Sequence, residues 1–267
     1  MLKTNNSHLS LIKIKHKVAV ITGASGRIGS VFAKLLLDSG CKVICLSRSK
    51  KKYLKFKKKI ITNQNNFLWY NFDLQNQESI DNTSQFIASK FKKLDLIINN
   101  ASNSNRGENF RYNSKNLSDE FMGTIGGSIT LTENLLPLLR KNNNSKIVNV
   151  GSLWGFKSPK QNIYGKMQIG PSIITASGKS AMINYTKFLA VREAKYNISV
   201  NCLSPGWFPR KGPIENNNYI SAIKKNIPLN RIGKLSDLIS PIHFLLSDGS
   251  AYYTGQNLIV DGGYSVW

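Results

Sequence analysis

The chain predicts a doubly wound α/β fold on a seven-stranded parallel sheet, and three observations lead there. Short apolar runs at 17–22, 42–46, 67–70, 94–98, 145–150, 198–203 and 257–260 lack polar alternation, as strands covered on both faces do. Segments of helical spacing near 26–39, 50–59, 76–92, 117–140 and 173–195 separate them. A glycine turn joins the first strand directly to the first helix. Repeated strand-helix-strand units with right-handed crossovers then give a parallel sheet whose ligands bind beyond the carboxyl ends of its strands.

At 267 residues with 41% hydrophobic content, the chain is long enough for one large domain, expected over 16–267 after a polar tail at 1–15. No Pro-, Gly- or Ser-rich linker or internal repeat divides it. No apolar stretch is long enough to cross a bilayer, and Met1 to Lys17 has no continuous apolar core, so a cytoplasmic protein is expected. Cys41, Cys45 and Cys202 lie in apolar runs, and an odd number of thiols suits a reducing compartment. His8, His16 and His243 are scattered without partners at ligand spacing, so no metal is expected.

The formal net charge of +23 attracts anions in general. Its densest block, Arg48 through Lys59, interleaves Tyr53 and Phe56 with lysines, which is compatible with an RNA-binding strip. A solvated helix face is the plainer and favoured reading, so nucleic acid is not the expected partner.

Chemistry-bearing residues fall just after the strands. Thr22-Gly23-Ala24-Ser25-Gly26-Arg27-Ile28-Gly29 reads as a phosphate cradle: glycines let the backbone bend and approach closely, and free N–H groups at a helix start stabilise negative charge. After strand two, Ser47-Arg48 stands where a carboxylate often holds ribose hydroxyls; a guanidinium there suits a 2′-phosphate, with Ser49, Lys50 and Arg27 as helpers. Phe72-Asp73-Leu74 offers a carboxylate to an exocyclic amine, or a helix cap. Asn99-Asn100-Ala101-Ser102 lets a planar ring approach the backbone. Ser152 ends strand five with a hydroxyl able to bond a substrate carbonyl, and no histidine is placed to make it a nucleophile. Thr175 and Lys179, four apart, share one face of a long helix whose Met182, Ile183, Phe188 and Leu189 fit core packing.

Together these motifs resemble the short-chain dehydrogenase/reductase family over about Lys17 to Trp267. The resemblance implies a Rossmann-type nucleotide-binding domain and hydride transfer between NAD(P)(H) and a carbonyl or alcohol. It implies cofactor contacts from Thr22 to Gly29, from Asp73 and Leu74, from Asn100, Ala101 and Ser102, and from Pro205, Gly206 and Trp207 of Val200-Asn201-Cys202-Leu203-Ser204-Pro205-Gly206-Trp207. Ser152 looks like the family's catalytic serine and Lys179 like its lysine, which also holds the nicotinamide ribose. Thr254-Gly255-Gln256 and Val260-Asp261-Gly262-Gly263 match the C-terminal signature. Related folds pair through helices like those near 117–140 and 173–195, so a homo-oligomer is implied.

The chain departs from the family pattern in three places. The glycine spacing Gly23-x-x-Gly26-x-x-Gly29 is similar to extended members and to a subgroup linked to surface-sugar and nonulosonic-acid pathways. Thr175 occupies the tyrosine position of the Tyr-x-x-x-Lys motif, and Thr124 or its neighbourhood stands where an asparagine is common. A free phenol has a pKa of about 10, which a lysine and the cofactor lower into a working range; an aliphatic alcohol is a far poorer acid. Tyr164 is a candidate replacement from a neighbouring loop, and Phe208 to Ile227 reads as a cover over the substrate. Two functions are therefore expected: an oxidoreductase that prefers NADP(H) and acts on a small carbonyl or alcohol, including sugar derivatives, or a cofactor-binding pseudoenzyme acting through a protein or nucleic-acid partner.

Overall fold

In the computed structural model, residues 14–60, 64–102, 113–160, 163, 172–208 and 217–267 are described. Seven strands form one parallel sheet in the order β3-β2-β1-β4-β5-β6-β7. They are β1 Val18–Thr22, β2 Lys42–Ser47, β3 Phe67–Asn71, β4 Leu96–Asn99, β5 Ser145–Val150, β6 Ile198–Pro205 and β7 Asn257–Val260. All seven overlap the runs read from the sequence. Strand order reverses between β1 and β4, where Val20 sits opposite Ile97, and this reversal opens the crevice beyond the strand ends.

Helices α1 Gly29–Asp38, α2 Lys50–Lys57, α3 Gln77–Lys90, α4 Ser114–Phe121, α5 Gly127–Leu139, α6 Ile173–Glu193, α7 Asn217–Lys225 and α8 Ile239–Leu246 complete the described elements, with short 3₁₀ turns. Period-two alternation divides the core. Ala19, Ile21, Val43 and Cys45 pack against Phe32 and Leu36 of α1 and Ile242 and Leu245 of α8. Val20, Ile44 and Leu46 face the opposite way, toward Ile80, Leu131, Leu135 and Leu189 of α3, α5 and α6. Local chemistry sets the helix ends: Asn76 caps α3 by accepting from Ser79 N at 2.8 Å, and Gly40, at φ +77°, ends the turn after α1.

The structure corrects several expectations. Segment 117–140 is helical as expected but not regular, because a π-helical turn, Met122–Gly126, lies between α4 and α5. Phe188 does not pack in the core: it is 62% exposed, with the Arg192 guanidinium 5.8 Å from its ring centroid, while Met182 and Leu189 are buried. Ile14, in the segment read as a polar tail, is buried against the sheet. The aromatic residues of the basic block turn inward. Tyr53 is buried and donates to the Phe67 carbonyl at 2.6 Å, and Phe56 packs edge-on to Phe67, so they offer no faces for stacking bases. The three cysteines are free and buried. No helix among the described residues is long and apolar enough to cross a membrane.

Candidate functional site

The turn after β1 is closed by two neighbours. Thr22 Oγ1 accepts from the backbone N–H groups of Asn100 and Ala101 at 3.0 and 2.9 Å, and Asn100 Nδ2 donates back to the Thr22 carbonyl at 2.9 Å. This ties the ends of β1 and β4 together across the reversal in strand order. Gly23 takes φ +68°, and a Cβ on Gly29 would lie 2.3 Å from the Gly23 carbonyl oxygen and 2.7 Å from Asn100 Nδ2. The start of α1 is thereby pressed against the turn: Ser30 N–H donates to the Gly26 carbonyl at 2.8 Å and Val31 N–H to that of Ile28 at 3.0 Å, so what the helix start offers an anion is mainly the positive end of its dipole.

Beside the turn, Ser25 Oγ donates to Ser47 Oγ at 3.4 Å, and Trp69 Nε1 donates to the same hydroxyl at 3.1 Å. Arg48 is well exposed and lies 3.9 Å from Asp73 Oδ2, while Asp73 Oδ1 accepts from Gln75 N at 3.0 Å. Arg48 and Asp73 therefore border one opening at the ends of β2 and β3. The helpers read from the sequence have partners of their own. Arg27 donates to the Phe208 carbonyl, beyond β6 and so on the other side of β1 from Arg48. Ser49 caps α2, and Lys50 lies over the Trp69 ring. Leu74 is buried, and its carbonyl oxygen is only 2.1 Å from where a Cβ on Gly127 would stand. Ser102 is exposed at the end of the β4 segment.

On the far side, Gly151 follows β5 with its N–H on the Leu203 carbonyl. A Cβ there would meet Ser204 Oγ at 2.5 Å and Cys202 Sγ at 2.7 Å. Ser152 comes next, its Oγ accepting from Trp154 N at 3.2 Å to start a 3₁₀ turn, Leu153–Gly155. Ser180 Oγ donates to the Gly155 carbonyl at 2.6 Å and fastens that turn to α6. The residue before it, Lys179, is buried and donates from Nζ to the Val150 carbonyl at 2.6 Å, just before Ser152. Burial holds its ammonium down to about 8, with Cys202 a minor opposing influence.

Thr175 shares the buried face of α6 with Lys179, as the four-residue spacing predicts. Its Oγ1 donates to Glu120 Oε1 at 3.0 Å, Ser172 Oγ donates to the same carboxylate oxygen, and the two hydroxyls are 2.8 Å apart. Thr124, in the π-helical turn, packs where a Cβ on Gly178 would come within 2.6 Å of its Cγ2. Tyr164 and residues 209–216 of the expected cover lie outside the described residues.

Beneath the rim runs a buried amide chain. Asn99 Nδ2 donates to Thr132 Oγ1 and Asn149 Oδ1 at 2.9 and 2.8 Å, and Asn149 Nδ2 donates to Thr186 Oγ1 at 2.9 Å. Past β6, Gly206 abuts Asp261, whose carboxylate accepts from Gly263 N and Ser265 N. Asn201 bonds Tyr253 O and Gln256 N, so the Val-Asn and Thr-Gly-Gln motifs are two halves of one hydrogen-bonded joint. Trp207 joins an aromatic wall, with ring centroids 5.3 Å from Trp154, 6.1 Å from Tyr264 and 6.2 Å from Tyr219. Sequence reasoning missed Glu120, Trp154 and Tyr264. The tryptophan's place next to Ser152 was the one available signal.

Comparison with known proteins places this geometry among relatives. Residues 23–265 match a family model described as enoyl-(acyl carrier protein) reductase. Carbonyl reductase family member 4 of Xenopus laevis is 30% identical, over 92% of this chain and 97% of that protein. The 7alpha-hydroxysteroid dehydrogenase of Bacteroides fragilis is 25% identical over 95% and 96% of the two chains. A short chain dehydrogenase from Leptospira borgpetersenii, solved with bound NAD+, is 29% identical with a TM-score of 0.82, covering 99% of this chain and 97% of that one.

Proposed function

Because this chain belongs to the short-chain dehydrogenase/reductase family, we propose that it is a cytoplasmic, NADP(H)-preferring oxidoreductase that interconverts a carbonyl and an alcohol. The observation that carries this reading is the buried Lys179, its Nζ on the Val150 carbonyl beside Ser152, at the same carboxyl edge of the sheet as a glycine turn in which no side chain fits at Gly29. A buried amine is costly to retain unless it has a task.

The residues present fit a nicotinamide dinucleotide. The turn from Thr22 to Gly29, including Ser25 and Ile28, takes the pyrophosphate; Asp73 and Leu74 take the adenine side. Ser47 and Arg48 take the 2′-phosphate, and Arg48, exposed and loosely paired with Asp73, is placed to turn toward it. Asn100, Ala101, Ser102, Lys179, Pro205, Gly206 and Trp207 take the nicotinamide end. When bound, the dinucleotide supplies or accepts the hydride. Ser152 holds the substrate oxygen by its hydroxyl, Lys179 brings positive charge to the same end of the pocket, and Thr175 stands where the family's tyrosine would. The names of the relatives span a steroid alcohol and carbonyl compounds at large, so they do not fix the substrate. Half-buried Trp154 and Trp207, backed by the buried rings of Tyr219 and Tyr264, leave aromatic surface beside Ser152, which makes sugar derivatives the first class to test.

Calorimetry with NADPH and NADH, followed by turnover against a panel of keto sugars, keto esters and diketones, tests the reading. Lys179→Ala and Ser152→Ala are expected to abolish turnover. Absence of binding heat with either coenzyme, or turnover that survives both substitutions, rejects it.

A further inference from the structure

Two buried polar side chains facing α6, Glu120 and Thr124, have no role in the scheme above. Glu120 is 1% exposed, and its Oε1 receives the hydroxyls of both Thr175 and Ser172. Its Oε2 has no partner among the described residues, nor has Thr124 Oγ1 one helical turn further on. Between the two begins the π-helical turn Met122–Gly126, a distortion that is frequent at functional sites. The burial pattern of α4 is also inverted: Leu117 and Phe121 are 37% and 48% exposed while the carboxylate points inward. An ordinary amphipathic helix would bury the leucine and expose the acid. An inward carboxyl that accepts from Thr175, the residue standing at the proton-transfer position, has a chemical use.

We propose that Glu120 and Thr175 together form the proton-transfer pair of this enzyme, with Thr175 touching the substrate and Glu120 acting through it as a positioning and proton-holding residue. This rests on the oxidoreductase reading. In alcohol oxidation the substrate carbon gives its hydride to the oxidised nicotinamide dinucleotide, and the substrate O–H proton passes to Thr175 Oγ1. The proton already on Thr175 moves along its existing 3.0 Å hydrogen bond to Glu120 Oε1. The products are a carbonyl, a reduced dinucleotide and a neutral Glu120 carboxyl, which returns its proton to water. Carbonyl reduction is the same transfer in reverse. Ser172, 2.8 Å from Thr175 and capping α6, fixes the geometry of both oxygens.

The surroundings leave this carboxyl with hydroxyl partners and no ion pair among the described residues. Lys179 is the charged group nearest Thr175 along the buried face of α6, and it gives its Nζ to the Val150 carbonyl. The π-helical turn carries no charged side chain, and Lys115 and Asp119 on α4 itself are exposed.

The test compares Glu120→Gln, Thr175→Val, Thr175→Ser and the Gln/Val double variant with the wild type, using NADP⁺ and NADPH and the same panel. Calorimetric affinity for the coenzyme is expected to stay within threefold in every variant. Turnover falls about 10²- to 10⁴-fold in Glu120→Gln and in Thr175→Val, with little further loss in the double variant, whereas Thr175→Ser stays within tenfold. One limb of the pH profile disappears with Glu120. Independently of activity, the infrared carboxyl band that is absent in Glu120→Gln shifts in frequency when Thr175→Val removes its hydrogen bond and returns in Thr175→Ser. Turnover within threefold and an unchanged pH profile in Glu120→Gln overturn the proposal, leaving the carboxyl as a helix cap. So does a wild type that binds coenzyme, turns over no member of the panel and becomes active as Thr175→Tyr. Failure of the wild type to bind either coenzyme strikes instead at the oxidoreductase reading.

Discussion

The two sides of the pocket are built on opposite rules. Around the glycine turn, polar groups close on one another: Thr22 Oγ1 takes two N–H donors, and the Asn100 amide returns a bond to the Thr22 carbonyl. On the side of α4, α5 and α6, buried oxygens exceed their partners, with Glu120 Oε2, Thr124 Oγ1 and Ser128 Oγ unpaired among the described residues. An unpaired buried polar atom costs roughly 1–3 kcal/mol, so the second side carries a load that the first does not. Binding of a fixed shape asks for the first kind of construction, and proton movement asks for the second, where groups must change partners. Four substitutions break or sharpen this contrast.

The largest effect is expected on the closed side. Gly29→Ala puts a Cβ 2.3 Å from backbone oxygen, so coenzyme affinity should fall at least a hundredfold and stability by about 2–3 kcal/mol. Calorimetry and urea unfolding measure both; unchanged affinity would show that the turn yields. Lys179→Met tests the open side with the opposite sign. The unfolded lysine binds its proton up to about 10.5 and the folded one only to about 8, so the native state holds fewer protons between those values. Stability should therefore climb as pH rises from about 8 to 10.5, and the cost is fully present below that window. Lys179→Met should remove this slope and stabilise the coenzyme-free protein at pH 7 by up to about 3 kcal/mol while destroying turnover. A less stable variant would mean that the ammonium is held by more than the Val150 carbonyl.

Arg48→Ala should lower the preference for NADPH over NADH by about tenfold to a hundredfold, the worth of one or two charge-assisted hydrogen bonds. An unchanged ratio of affinities would remove Arg48 from the 2′-phosphate site. The smallest effect is expected from Thr124→Val, which replaces an unpaired hydroxyl by a methyl group. Thermal unfolding should show a gain of about 1 kcal/mol, with coenzyme affinity unaltered. A loss would reveal a partner for that oxygen.

Much of the closed side was legible in the sequence because it depends on local order. The apolar runs became strands with their ends displaced by no more than two residues, and Thr22 to Gly29 needed only a strand before it and a helix after it. The buried face of α6 followed from the spacing of Thr175 and Lys179, although the same periodicity failed at Phe188, whose exposure depends on what the sheet leaves uncovered. Glu120 was not legible. Its inward position depends on two hydroxyls 52 and 55 residues away along the chain, and the π-helical turn that follows it packs Thr124 against Gly178, also distant in sequence. The acceptor that Arg27 finds was hidden for a related reason, since the Phe208 carbonyl is 181 residues distant.

The bond between Asn100 and Thr22 also bears on how the molecule comes into being. It spans 78 residues and lies where the strand order reverses, so neither the first three strands nor the later four contain a complete nucleotide seat. Parallel pairings of such long range are slow to nucleate, and a ligand that engages only the finished crevice adds its free energy to the native state alone. Coenzyme supplied during renaturation should accordingly raise the yield of recovered protein, and nascent chains released before β4 should gain nothing from it.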